Sequence, residues 1–147
     1  MKILSLDLGT TTGWAVGSVQ SVDSGSESFK SKKKDGNGVK FLKFKQWLAE
    51  FDSIEIDRVY YEKVMNHSSV YAAHAYGGFL ALLIVWCERR EIPYTGIGVG
   101  TIKKSWTGRG NASKREMIDE AVNRGFDPAD DNEADALALL DCATRIK

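Results

Sequence analysis

Apolar and polar positions alternate along the early residues in a way that suits strands. Ile3, Leu4, Leu6 and Leu8 make residues 2–8 an apolar strand with Asp7 at its end. Gly9, Thr10, Thr11 and Thr12 turn the chain. Residues 13–19 then read as a second strand and 22–29 as a third, so a hairpin meander is predicted. A basic, glycine-containing loop follows over 30–38. The period then changes: apolar residues at 39, 41, 42, 44, 47, 48 and 51 line one face of a helix.

Residues 58–64 are rich in β-branched and aromatic side chains and read as a short strand. Residues 70–90 form a long helix, whose small residues around Gly77, Gly78 and Ala81 leave room for another helix to approach. Pro93 introduces a fifth strand within 92–99, and a short helix lies near 101–106. Ser113 caps a helix reaching about residue 124, with Glu116 completing a capping box and Gly125 ending it. A last helix covers 131–146. The order β-β-β-α-β-α-β followed by helices implies an α/β fold: a mixed five-stranded sheet, its first three strands antiparallel, flanked by helices. With no internal repeat and no linker, residues 1–147 read as a single domain.

Hydrophobic residues at 43% and charged ones at 27% describe an ordinary globular chain rather than a disordered one. No signal peptide is visible at the start, and the longest apolar segment, 79–87, is too short to span a bilayer. A soluble, cytoplasmic protein is expected. Cys87 and Cys142 sit in apolar helical patterns and read as core residues, and with His67 and His74 they offer no zinc-binding spacing.

Twenty basic residues balance twenty acidic ones, which at first argues against a nucleic-acid partner. The distribution reverses that impression. Seven lysines against one acid, Asp35, lie between Lys30 and Lys45. Five basic residues and no acid lie between Lys103 and Arg115, and nine acids face three basic residues from Glu116 onward. Basic surfaces beside an acidic centre suit carboxylates that hold metal and lysines that hold phosphate.

Three acids stand out against their surroundings. Asp7 closes an apolar strand, where an ionised carboxylate is costly unless compensated; it either bonds amides of the following turn or ligates a metal. Glu62 lies inside the strand Val59-Tyr60-Tyr61-Glu62-Lys63-Val64, where it either pairs with Lys63 or a neighbouring strand or ligates the same metal. Asp135 falls among Ala134, Leu137, Ala138 and Leu140, a packed surface, and shares a helix face with Asp131. Acids in a first helical turn also complement the macrodipole, which accounts for part of this cluster. Carboxylates from two strands and one helix would make a hard oxygen site for Mg²⁺, with Mn²⁺ a substitute. Two such ions about 4 Å apart activate a water and stabilise the leaving oxygen in phosphodiester hydrolysis.

The stretch Ile102-Lys103-Lys104-Ser105-Trp106-Thr107-Gly108-Arg109-Gly110-Asn111-Ala112-Ser113-Lys114 resembles the basic segment of RuvC-type Holliday junction resolvases, with two lysines spaced around a Gly-x-Gly loop. Glu133-Ala134-Asp135-Ala136-Leu137-Ala138 is similar to the signature that ends their active site. With Asp7 and Glu62 in order before them, the resemblance covers nearly the whole chain. It implies an RNase H-like fold, and a metal-dependent endonuclease that resolves four-way DNA junctions as a homodimer, in recombination, repair or phage DNA processing. It implies that Asp7, Glu62 and Asp135 hold two Mg²⁺ ions and that Lys103 and Lys114 neutralise phosphates beside the scissile bond. Lys104, Arg109 and Arg115 would add DNA contacts, and the basic loop with Lys32, Lys33 and Lys34 would follow a junction arm.

Two departures from the family are visible. Where relatives carry an acid or a His three residues before the last Asp, this chain has Asn132; Asp131, on the face of Asp135, is the substitute, with Asp130 behind it. Where relatives carry a base-stacking aromatic three residues after the Glu, this chain has Met65. The chain is also shorter than bacterial members, which points to a phage or prophage form. Alternatives remain within the same core: a broader branched-DNA nuclease, an RNase H-type hybrid nuclease, or a non-catalytic nucleic-acid or nucleotide binder. The last is suggested by Asp7-Leu8-Gly9-Thr10-Thr11-Thr12-Gly13, which also resembles the phosphate loop of the sugar kinase and actin superfamily.

Overall fold

The computed structural model describes residues 1–146. Five strands form one sheet: β1 (Ile3–Asp7), β2 (Thr11–Gly17), β3 (Val22–Ser28), β4 (Arg58–Lys63) and β5 (Tyr94–Gly98). The helices are α1 (Val39–Leu48), α2 (Val70–Arg89), α3 (Val99–Thr107), α4 (Lys114–Asn123) and α5 (Asp131–Thr144), and a 3₁₀ turn follows α1 over Ala49–Ser53. The sheet order is β3-β2-β1-β4-β5. β1 to β3 pair antiparallel, while β4 pairs parallel with both β1 and β5. This is the mixed, RNase H-like sheet expected from the order of elements.

Strand alternation sorts the sheet into two faces. Leu4, Leu6, Leu8, Val16 and Val59 point to one side and pack with Phe44, Trp47, Phe79 and Leu83 of α1 and α2. Ile3, Ala15, Tyr60 and Ile97 point to the other and meet α3, α4 and α5. Ser5 lies on that second face, its hydroxyl donating to the Ala136 carbonyl of α5 at 2.8 Å. By the same period of two, Asp7 and Glu62 point toward α5. Cys87 and Cys142 are both buried as expected, and burial pushes the Cys87 thiol up to about 12, so it is inert.

Three expectations needed adjustment. β2 begins at Thr11, ahead of the predicted 13, because Thr12 closes the turn itself: its hydroxyl donates to the Gly9 carbonyl at 2.8 Å and accepts the Gly9 amide at 3.3 Å. The first helix tightens into the 3₁₀ turn at Ala49 rather than continuing to Phe51. The apolar segment 79–87 belongs to a helix of 20 residues with mean hydropathy 1.6, long and apolar enough by length and composition to cross a membrane. That helix seats Phe79, Leu83 and Cys87 in the core. Gly78 is part of the same packing, since a Cβ there would overlap the Phe41 ring, whereas Gly77 and Ala81 face outward.

Candidate active site

The site forms where the chain leaves β1 in one direction and β4 in the other, at the carboxyl ends of both strands, a position where open α/β sheets bind ligands. Parallel pairing sets Leu6 against Tyr61, so the next residues, Asp7 and Glu62, end adjacent strands on the same face. Asp7 also pairs with Gly13 of β2. Gly13 has no side chain for a reason: a Cβ would overlap the Asn132 carbonyl and stand 3.0 Å from the Glu133 amide nitrogen. The first turn of α5 therefore rests directly on β2, and this delivers Asp131 and Asp135 to Asp7.

The acids at the start of α5 divide by their partners. Asp130 is the N-cap, accepting the Glu133 amide at 2.9 Å and the Ser26 hydroxyl at 2.7 Å. Glu133 is buried and accepts the Ser24 hydroxyl at 2.7 Å and the Ala129 amide at 2.9 Å. Both are committed to tying α5 to β3. Asp131 and Asp135 remain, facing Asp7 and Glu62.

Electrostatics identify these four as one group. Burial, reinforced by Glu62 and then by Asp135 and Asp131, holds Asp7 well above the usual carboxylate range. Burial, with Glu62 and Asp131 adding to it, pushes Asp135 up to about 7, while Lys103 pulls the other way. Asp7 is within hydrogen-bonding reach of both Glu62 and Asp135. Two carboxylates that close can share a hydrogen bond only if one keeps a proton. Glu62 is in no ion pair among the described residues, so the pairing with Lys63 is not made. The amide of Gly9 goes to Thr12 rather than to Asp7, so the strand-end carboxylate is not occupied by the turn.

Lys103 of α3 faces Asp135, and Lys114 at the start of α4 stands 3.8 Å from Asp131. The loop between them is fixed at both ends. Gly108 takes a left-handed conformation (φ 88°) to terminate α3, and the Ser113–Glu116 capping box starts α4. Trp106 anchors the α3–α4 corner, its indole donating to the Met117 carbonyl at 3.1 Å and its ring 3.8 Å from the Arg124 guanidinium carbon. Of the other basic residues singled out, Lys104 is exposed, Arg109 pairs with Glu116 at 3.0 Å and Arg115 with Asp119 at 3.2 Å. Met65 is 73% exposed on the segment after β4, and Lys32, Lys33 and Lys34 are exposed on the loop before α1.

All-oxygen donors of like charge fit a hard divalent cation in kind. Among the described residues no three His, Cys, Asp or Glu side chains close on a common point. Asp7 instead lies beside Glu62 and Asp135, whose charges raise its affinity for a proton. Sequence reading missed Gly13 and the serines of β3, whose roles depend on contacts far along the chain.

No family model matches the sequence. Among solved structures, Thermus thermophilus RuvC in complex with a Holliday junction substrate is 20% identical, with a TM-score of 0.81 over 97% of this chain and 92% of that one. Another Thermus thermophilus RuvC structure gives 19% identity and a TM-score of 0.77 over the same shares. The yeast mitochondrial Holliday junction resolvase gives 13% and 0.66, over 97% of this chain and 77% of its own.

Proposed function

We propose that this chain is a metal-dependent DNA endonuclease of the RuvC type that resolves four-way junctions. The observation that carries the reading is the placing of Asp7 beside Glu62 and Asp135 at the sheet's switch point, with Lys103 facing Asp135 and Lys114 3.8 Å from Asp131. Likeness in fold to two RuvC structures and a mitochondrial resolvase supports it.

Asp7 and Glu62 come from the sheet and Asp131 and Asp135 from α5, and these four would hold two divalent ions, Mg²⁺ or Mn²⁺. When bound, such ions supply a water activated at neutral pH and stabilise the leaving oxygen of a phosphodiester. Asp131 fills the place of the fourth acid, because Asp130 and Glu133 are committed to β3. Lys103 and Lys114 offset the carboxylate charge and hold phosphate oxygens at the rim, positioning the strand without reading its sequence. Lys104, Arg109 and Arg115, with Lys32, Lys33 and Lys34, extend this contact along the backbone; Arg109 and Arg115 exchange Glu116 and Asp119 for phosphates. Met65 projects as an apolar wedge.

A four-way junction has two-fold symmetry, and two cuts require two sites. A two-fold dimer through the outward face of α2, with His74, Gly77, Ala81 and Val85 in one helical row, would supply them. The test incubates a labelled four-way junction, a linear duplex and an RNA–DNA hybrid of matched sequence with the protein and Mg²⁺. Paired nicks across the junction, with the duplex intact, are expected. Cleavage of the hybrid alone would move the function to RNA removal. Tight junction binding without cleavage in Mg²⁺ or Mn²⁺ would leave a binding protein.

A further inference from the structure

β1 and β4 separate at the carboxylates, and the backbone there needs another partner. Their last registered pair is Leu6 with Tyr61; beyond it, Glu62 and Lys63 pair with Ile97 and Gly98 of β5 alone. The Val59 amide bonds the Pro93 carbonyl on the β5 side. By alternation, the backbone groups of Glu62 and Val64 turn the other way, toward β1. A carbonyl and an amide thus face the gap from which β1 has turned aside, and backbone groups so placed must be paired.

One side chain of α2 serves both. The Tyr76 hydroxyl donates to the Glu62 carbonyl at 2.7 Å and accepts the Val64 amide at 3.3 Å. Burial, opposed by the Val64 amide, raises this phenol above its ordinary value, so it keeps the proton it donates. The ring packs with the core on the α1–α2 side of the sheet, whereas the Glu62 carboxylate points to the other side. Phe79, one turn further along α2, is fully buried and meets the rings of Phe29, Phe41 and Phe44, which fixes the helix. His67, on the segment that carries Met65, packs on the Tyr76 ring with centroids 5.1 Å apart.

We propose that Tyr76 is a positioning residue, which fixes the end of β4 so that the Glu62 carboxylate stays beside Asp7. Its hydroxyl does for this strand end what β1 does for the rest of the strand. Without it the end of β4 is held from the β5 side alone. Glu62 then gains freedom at the point where its carboxylate must meet that of another strand. Groups that orient ligating residues are worth about 10- to 100-fold in metal affinity or activity. The proposal rests on the reading of Glu62 as a metal ligand. It also joins the Met65 segment to that carboxylate, because one ring touches His67 while its hydroxyl grips the Glu62 carbonyl.

Tyr76→Phe in the full chain tests it, because phenylalanine keeps the ring against His67 and the core and removes the hydroxyl alone. In chelator, amide hydrogen exchange at Val64 should quicken roughly 2- to 10-fold relative to the sheet core. Mn²⁺ binding, followed by the electron paramagnetic resonance of the free ion, should weaken about tenfold. Junction cleavage should lose about tenfold in kcat, with KM for the junction unchanged. Tyr71→Phe removes a hydroxyl from an exposed tyrosine earlier on the same helix and should leave all three at wild-type values. A Tyr76→Phe protein that melts lower, yet binds Mn²⁺ and cleaves like the wild type, would make the hydroxyl a structural bond and overturn the proposal. Unchanged exchange at Val64 would overturn it as well. A wild type that neither takes up Mn²⁺ nor cleaves junction, duplex or hybrid would instead discard the metal reading, and the positioning role with it.

Discussion

Asp7→Asn is expected to raise the melting temperature of the metal-free protein at pH 8 while lowering DNA cleavage by at least roughly 10³-fold. The two effects share a cause. Burial and three neighbouring acids hold the Asp7 carboxyl well above its usual range, so ionised Asp7 destabilises the metal-free fold. A group whose pKa is raised on folding contributes stability below its unfolded value, and that contribution is lost as pH rises through the folded one. Asp135, at about 7, acts in the same direction. In chelator the wild type should therefore lose stability from about pH 5 to pH 8, and Mg²⁺ should restore it at the upper end. Asparagine keeps the shape and removes the charge. A gain of about 1–3 kcal/mol is expected, or on the order of 3 °C per kcal/mol for a chain of this size. Thermal melts with and without Mg²⁺, beside cleavage time courses, check both effects. A variant that is less stable in chelator would mean that Asp7 is satisfied by the protein itself.

Gly13→Ala is expected to cost about 1–3 kcal/mol of stability and roughly 10²-fold or more in cleavage, although the residue carries no chemistry. Its Cβ would be driven into the Asn132 carbonyl, and the atoms that must give way are backbone, held in a helix. α5 has to move off β2, and Asp131 and Asp135 move with it, away from Asp7. A displacement of about an ångström at a metal centre suffices for a loss of that size. Gly36→Ala is the control, since a Cβ there meets nothing within 4 Å. Denaturant melts and cleavage rates for both variants separate the close approach from a general dislike of substitution. Wild-type cleavage by Gly13→Ala would show that α5 need not lie so close.

Much of this was legible in the chain itself. Asp7 and Glu62 are conspicuous because each is an acid within an otherwise apolar or aromatic strand, where an ionised carboxylate is costly unless compensated. The Ser113–Glu116 box is local, so its spacing sufficed to place α4. The run Asp130-Asp131-Asn132-Glu133 could not be divided in the same way. Ser24 and Ser26, more than a hundred residues earlier, take Glu133 and Asp130, and neither bonds Asp131, the acid proposed for the site. Gly13 read only as the start of the second strand, because the helix it admits comes from the far end of the sequence. Lys40 belonged by composition to a basic run; only the contact with Tyr71 of α2 shows it buried. Pattern locates elements and odd charges, while long-range contacts decide which of several equal acids is spared for chemistry.

The most direct test of the carboxylate centre is anomalous diffraction from crystals grown or soaked with Mn²⁺ near pH 8. Density is expected between Asp7 and Glu62 on the strand side and Asp131 and Asp135 on the helix side, with Asp130 and Glu133 still bonded to Ser26 and Ser24. No density there, in crystals that take up Mn²⁺ elsewhere, would contradict the metal site and the cleavage chemistry built on it.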